Sequence, residues 1–209
     1  PGTMAGPAIV DLLVGAESPS GKLAMTLPRV TGQIPIYYSY KHTGKPVTPE
    51  SWTHIDDIPT DAPQLSMGNT SFHMDVHYTP LFPFGHGLSY TRFELHEVRV
   101  DREHVPIGES LVVRADVVNV GPRSGTEVVQ LYVRDPVASV TRPVRELKGF
   151  QRVALEPGER RTVEFELHTD DLRFPGRDMS PTIDPGRIQV WVGGSSDARA
   201  GTQFEIVEP

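Results

Sequence analysis

The sequence contains no cysteine, which excludes a disulfide framework and any zinc site built on thiolates. The compartment stays open, since secreted domains of bacterial type also do without disulfides. Long hydrophobic runs are missing as well. The longest apolar stretch, Ala8 to Val14, is interrupted by Asp11 and falls far short of the ~20 residues that a membrane helix needs. Positive charge is in deficit: 20 Lys and Arg stand against 27 Asp and Glu, a net charge of −7. The chain therefore lacks the basic field on which binding to nucleic acid or an anionic membrane depends, and neither is expected as a partner. No signal peptide is legible. The chain opens on Pro1 rather than Met, so a processed, nicked or excised piece of a longer protein is expected.

What is present is turn chemistry. Twenty prolines and 19 glycines in 209 residues, with 37% hydrophobic content, point to β-rich globular structure with long loops. The stretch Thr79-Pro80-Leu81-Phe82-Pro83-Phe84-Gly85-His86-Gly87-Leu88-Ser89-Tyr90-Thr91 divides the chain. Its prolines fix φ and remove donors, and its glycines reach conformations closed to other residues, so it reads as a rigid corner rather than a helix or central strand. Phe82, Phe84, Leu88 and Tyr90 would expose a large apolar surface unless the corner packs as a hinge between modules.

Before the corner, Pro7, the i, i+3, i+4 set Ile9, Leu12 and Leu13, and Gly15 beyond them predict a short amphipathic helix over 7–14. Leu23, Met25 and Leu27 alternate as a strand stopped by Pro28, and 34–38 reads as an edge or a loop because of Pro35. One helix and one or two strands cannot enclose a core, so residues 1–91 are expected to complete a sheet supplied by preceding sequence. Residues 39–79 keep no sustained period and read as a long loop. After the corner the period becomes 2, with candidate strands at 93–100, 110–120, 127–135, 146–155, 161–168, 187–193 and 202–207. Seven short strands with one apolar face each are the pattern of an immunoglobulin-like or fibronectin type III-like antiparallel sandwich over 92–209. Thr169-Asp170-Asp171-Leu172 is expected to form a capped helical turn before the sixth strand.

An ordered series of motifs carries a resemblance. Pro1-Gly2-Thr3, Pro19-Ser20-Gly21-Lys22-Leu23, Thr26-Leu27-Pro28-Arg29, Gly32-Gln33-Ile34-Pro35-Ile36-Tyr37-Tyr38 and the corner resemble the end of the α/β sandwich domain of glycoside hydrolase family 3. Asn119-Val120-Gly121, Glu127 to Val133, Arg142 to Phe150 and Leu155-Glu156-Pro157-Gly158-Glu159 resemble the fibronectin type III-like domain that follows it. The resemblance implies a C-terminal portion of a retaining, exo-acting β-glucosidase without a cofactor. It also implies missing partners, the N-terminal barrel and the upstream sandwich portion, in the same polypeptide or as a separate chain. The family's nucleophilic Asp and acid/base Glu would precede Pro1, so no catalytic residue is carried over and the chain alone is expected to be inert. A β-xylosidase of the same family, a non-catalytic carbohydrate-binding module and an oligomerisation module are the alternatives, and a periplasmic or secreted setting is favoured over the cytoplasm.

Chemistry within the chain is sparse. A retaining glycosidase needs two carboxyl groups ~5 Å apart. Asp56/Asp57 and Asp170/Asp171 are sequence neighbours in polar turns and are read as solvated or capping groups. His73 and His77 are four apart but lack a helical pattern, so no metal is assigned. His86 either locks the corner through a backbone carbonyl or faces an interdomain cleft, the first being preferred. Trp52 is a candidate sugar-stacking residue, against the preferred reading that the aromatics of 39–79 pin the loop to its own protein. Arg142, Arg145, Glu146 and Lys148 read as a salt-bridged surface. Trp191 reads as a contact with the preceding domain rather than a carbohydrate platform.

Overall fold

The computed structural model describes residues 2–63, 70 and 72–209, so 64–69 and 71 of the expected loop lie outside the described residues. The chain enters through helix α1 (Ala5–Leu13) and crosses short 3-10 turns at Thr31–Gln33 and Ile55–Asp57. It then forms β1 (Phe93–Val100), β2 (His104–Pro106), β3 (Ser110–Asn119), β4 (Gly125–Arg134), β5 (Glu146–Leu155) and β6 (Arg160–His168). A 3-10 turn at Thr169–Leu172 leads to β7 (Phe174–Pro175), β8 (Pro181–Thr182), β9 (Gly186–Gly193) and β10 (Gly201–Val207).

The seven expected strands are present as two packed sheets, β1-β3-β6 and β2-β10-β9-β4-β5. Pairing is antiparallel except for β2, which adds to the β10 edge in parallel. Three short pieces, β2, β7 and β8, escape the sequence pattern because each is only two or three residues long and ends or begins at a proline. Leu111, Val113, Ala115 and Val117 of β3 and Val163, Phe165 and Leu167 of β6 face Val129, Leu131 and Val133 of β4 and Ile188, Val190 and Val192 of β9 across one buried core. Successive strand residues point to opposite faces, so the alternation in sequence becomes a dry interior and a wet exterior.

Asn119 shows why its motif is polar. It is fully buried, and its side chain uses every hydrogen-bonding position. Nδ2 donates to the carbonyls of Arg123 (2.7 Å) and Leu155 (3.0 Å), while Oδ1 accepts from Thr91 Oγ1 (2.6 Å) and Gly121 N–H (3.1 Å). The end of the corner is thereby tied to two turns of the sandwich.

On the outer face of β3, the Thr162 hydroxyl donates to Asp116 Oδ1 (2.7 Å) and Arg160 Nε lies 3.1 Å from Oδ2. The Thr162 hydrogen bond, then Arg99 and Arg160, hold the Asp116 carboxyl below its ordinary range against the opposing effect of burial. A carboxyl depressed in the folded state contributes stability above its unfolded pKa of ~3.9. That contribution is lost as pH falls through the lower folded value. Urea denaturation between pH 6 and 2 should show this acid-side loss in the wild type and a shallower one in Asp116→Asn.

α1 differs from expectation in place and in surroundings. It starts two residues earlier than predicted, and Pro7 keeps its expected place in the first turn. None of its residues is buried, and Ile9, Val10, Leu13 and Val14 are exposed by half or more.

Candidate functional site

The corner is the place where the two halves of the chain meet. Leu23 N–H donates to the His86 carbonyl (2.8 Å) and Gly85 N–H to the Leu23 carbonyl (2.7 Å), while Leu27 N–H donates to Phe82 O and Leu81 N–H to Leu27 O, both at 2.9 Å. Residues 23–27 therefore run along the corner but do not form the expected strand; their regular pairing is a single bridge, Leu27 to Phe82. Pro83 has no N–H to offer and His86 N–H turns back to the Pro83 carbonyl (3.1 Å), which breaks the ladder in its middle. Within this chain the segment pairs with the corner.

Gln33 and Arg29 fix the start of the corner. Gln33, almost fully buried, accepts from Arg29 N–H (2.7 Å) and donates to the carbonyl of His77 (2.8 Å). Arg29 Nε donates to the Thr79 carbonyl (2.9 Å).

The far side of the corner rests on the outer face of β4. Gly85 is buried, and a Cβ there would run into the Gln130 carboxamide. Gln130 Nε2 donates to the carbonyls of Gly85 (3.3 Å) and Gly194 (2.7 Å), and its Oε1 accepts from the Tyr132 hydroxyl (2.5 Å). Burial, reinforced by Tyr38 and opposed by Arg145, pushes the Tyr132 phenol far above its usual value, so it remains a donor at any pH the fold experiences. Tyr38 stacks on Phe84 (centroids 4.4 Å apart) and meets Tyr132 edge-on at 5.9 Å. Ser196 N–H donates to the Phe84 carbonyl (2.8 Å). Beside this, Lys22 Nζ lies 2.6 Å from Glu127 Oε1 in an ion pair whose two side chains are both largely buried.

Of the four apolar corner residues, Phe84 is half-buried, whereas Phe82, Leu88 and Tyr90 keep more than a third of their surface exposed. His86 makes no ring hydrogen bond to a carbonyl among the described residues and instead stacks on Phe82 at 4.8 Å. Its neighbour Gly87 lies so close to the Gly21 carbonyl that a side chain would collide with it. Tyr90 donates its hydroxyl to the Leu12 carbonyl (2.7 Å), a polar tether to α1.

The remaining candidates fall elsewhere. Trp52 packs against His77 (4.7 Å) and His54 (6.0 Å) and donates Nε1–H to the His73 carbonyl (3.1 Å), so its ring is engaged with its own loop. His73 is exposed, while the His77 ring meets Thr79 Oγ1 (2.8 Å). No three His, Asp or Glu residues converge as metal ligands among the described residues. Each Asp pair opens a 3-10 turn, and the cap is the preceding histidine: His54 Nδ1 accepts from Asp56 N–H and His168 Nδ1 from Asp170 N–H. The expected turn at 169–172 exists, with His168 as its cap rather than one of its own residues. Trp191 lies under Arg145 (4.4 Å), whose Nη1 donates to the Ser196 carbonyl (2.6 Å). Glu146 pairs with Arg142 (2.7 Å) and Lys148 (3.0 Å).

Gln130 and Tyr132 were not singled out by motif reasoning, although a signal existed. Val128-Val129-Gln130-Leu131-Tyr132-Val133 reads as an almost unbroken apolar run, the mark of a strand covered on both faces.

Comparison with known proteins closes the description. Residues 1–90 match the family described as glycosyl hydrolase family 3 C-terminal domain, and 127–196 match the fibronectin type III-like domain. The chain is 38% identical to a periplasmic beta-glucosidase of Salmonella typhimurium, over 99% of this chain and 25% of that protein. It is 36% identical to a beta-xylosidase of Formosa agariphila, over 94% and 24%. A crystal structure of beta-glucosidase from Listeria innocua superposes with a TM-score of 0.84 at 39% identity, covering 99% of this chain and 26% of that one. The chain spans about a quarter of the length of these relatives.

Proposed function

Because the chain belongs to glycoside hydrolase family 3, matching a C-terminal portion of its members, we propose that it is the non-catalytic end of a retaining, exo-acting β-glycosidase. The enzyme releases terminal non-reducing β-D-glucosyl residues and uses no cofactor. Residues 1–91 end an α/β sandwich domain, and 92–209 form the fibronectin type III-like domain. The observation that carries this reading is the exposed apolar face of α1 and its C-cap, where Ile9 is half exposed and Leu13 and Val14 are largely so. A nine-residue helix does not hold itself together in water, so it needs a body to lie against. The barrel and the upstream sandwich portion supply that body and both catalytic carboxyl groups. The carboxylates of this chain support a structural role: Asp170 is held by Arg173 (2.8 Å), and the Asp56 side chain lies open to water.

The interdomain corner, Phe82, Phe84, Gly85, His86, Gly87 and Tyr90, locks the two modules in one orientation, and Trp52 serves as an anchor of its loop. The relatives named beta-glucosidase favour glucosides, and the Formosa beta-xylosidase supports xylosides as the second reading. The Salmonella relative, named periplasmic, supports a periplasmic or secreted setting. Turnover of chromogenic β-glucoside and β-xyloside by the full-length protein separates the two readings. A kcat/KM at least about tenfold higher on the glucoside is expected, and the reverse ratio would transfer the assignment to xylosides.

A further inference from the structure

An open cleft lies between residues 40–42 and the loop that joins β4 to β5, away from the corner's seat on β4. Next to the lining, Val144 N–H donates to the Tyr40 carbonyl (2.9 Å), and Lys41 pairs with Pro143 in a single bridge, which ties the two segments together. Arg134, at the end of β4, has no carboxylate partner among the described residues, and the His42 Nδ1 and Arg142 Nε atoms are buried without partners there. Thr141 adds a hydroxyl. The one carboxylate in the lining, Asp135, is engaged by Val137 N–H (3.1 Å). Buried polar atoms left unpaired are costly, and a guanidinium beside them presents the fork that an oxyanion satisfies.

We propose that this cleft binds a single carboxylate, held by Arg134 with His42 and Arg142 as flanking donors. One charge, rather than two, fits the local balance. The Arg142 guanidinium is neutralised by Glu146 (2.7 Å), and burial, with Arg134 nearby, lowers the His42 pKa and favours the uncharged imidazole. Arg134 therefore supplies the one cation of the lining without a carboxylate partner among the described residues, and Asp135, whose pKa burial raises, opposes a dianion. Two sources offer this chemistry: a free sugar acid, or an acidic side chain elsewhere in the same protein.

The test is calorimetric titration of the full-length protein at pH 8 with D-glucuronate, using glucose and inorganic phosphate as neutral and dianionic controls. It is repeated on Arg134→Gln, and the melting temperatures of both proteins are measured. Glucuronate is expected to bind at least about tenfold more tightly than either control and to weaken by about tenfold or more in the variant. No titration, together with a melting temperature lowered by several degrees in Arg134→Gln, supports the same site filled by an acidic side chain. Equal binding of phosphate, equal binding of glucuronate by the variant, or no titration with unchanged melting overturns the proposal.

Discussion

Tyr132→Ala is expected to destabilise the chain by about 3–5 kcal/mol, the range for truncating a large buried aromatic side chain. The residue is fully buried although it lies on the outer face of β4, because Tyr38 and the corner cover it. Truncation removes that packing, opens a cavity between the corner and the sheet, and leaves Gln130 Oε1 without its donor. Tyr132→Phe keeps the ring and loses only the hydroxyl, so it should cost about 1 kcal/mol. Urea unfolding of the pair, followed by circular dichroism, divides the two contributions. Similar losses in both variants would show that the hydrogen bond, and not the packing, holds the junction.

Gly85→Val carries the second large effect. Gly85 has φ +79, a left-handed conformation that a β-branched residue adopts only with strain, on the order of 1–3 kcal/mol. The new side chain would also occupy the space of the Gln130 carboxamide, adding overpacking of about 1–3 kcal/mol. The corner must then lift off β4. The expected result is a loss of about 3–5 kcal/mol, with faster proteolysis in 23–27 and 81–86 and an intact β-sandwich. Gly158→Ala is a useful control, since φ is +78 there but nothing lies within 4 Å of the added carbon. It should carry the backbone strain without the collision.

These two sites also show what could be read from the residues alone. β3, β6 and β9 were legible because each has one wet and one dry face, and that difference is written into alternate positions. β4 was legible as a strand covered on both faces, but what covers its outer face was not, since that segment lies more than 40 residues away in sequence. The corner's rigidity follows from Pro80, Pro83, Gly85 and Gly87. Its partner does not, because 23–27 is recognised through backbone groups that every residue carries. The caps at His54 and His168 were missed for a related reason: histidine is an uncommon cap, and the acidic residues that follow look like the better candidates.

Membership of the family accounts for the order of the motifs, and the geometry adds the reason for several of them. Asn119 ties the corner's end to two turns, Gln33 ties its beginning to Arg29, and Lys22 meets Glu127 where the segments pass. They add hydrogen bonds and one ion pair to the Tyr38–Phe84–Tyr132 packing at the junction. The apolar side of α1 stays exposed.

Amide hydrogen exchange, compared between the 209-residue chain alone and the full-length protein, tests that division most directly. Amides of β3, β4, β6 and β9 should be protected in both, while those of α1 should exchange freely in the isolated chain and slow by at least about a hundredfold in the full-length protein. Protection of α1 in the isolated chain equal to that in the full-length protein would contradict the account.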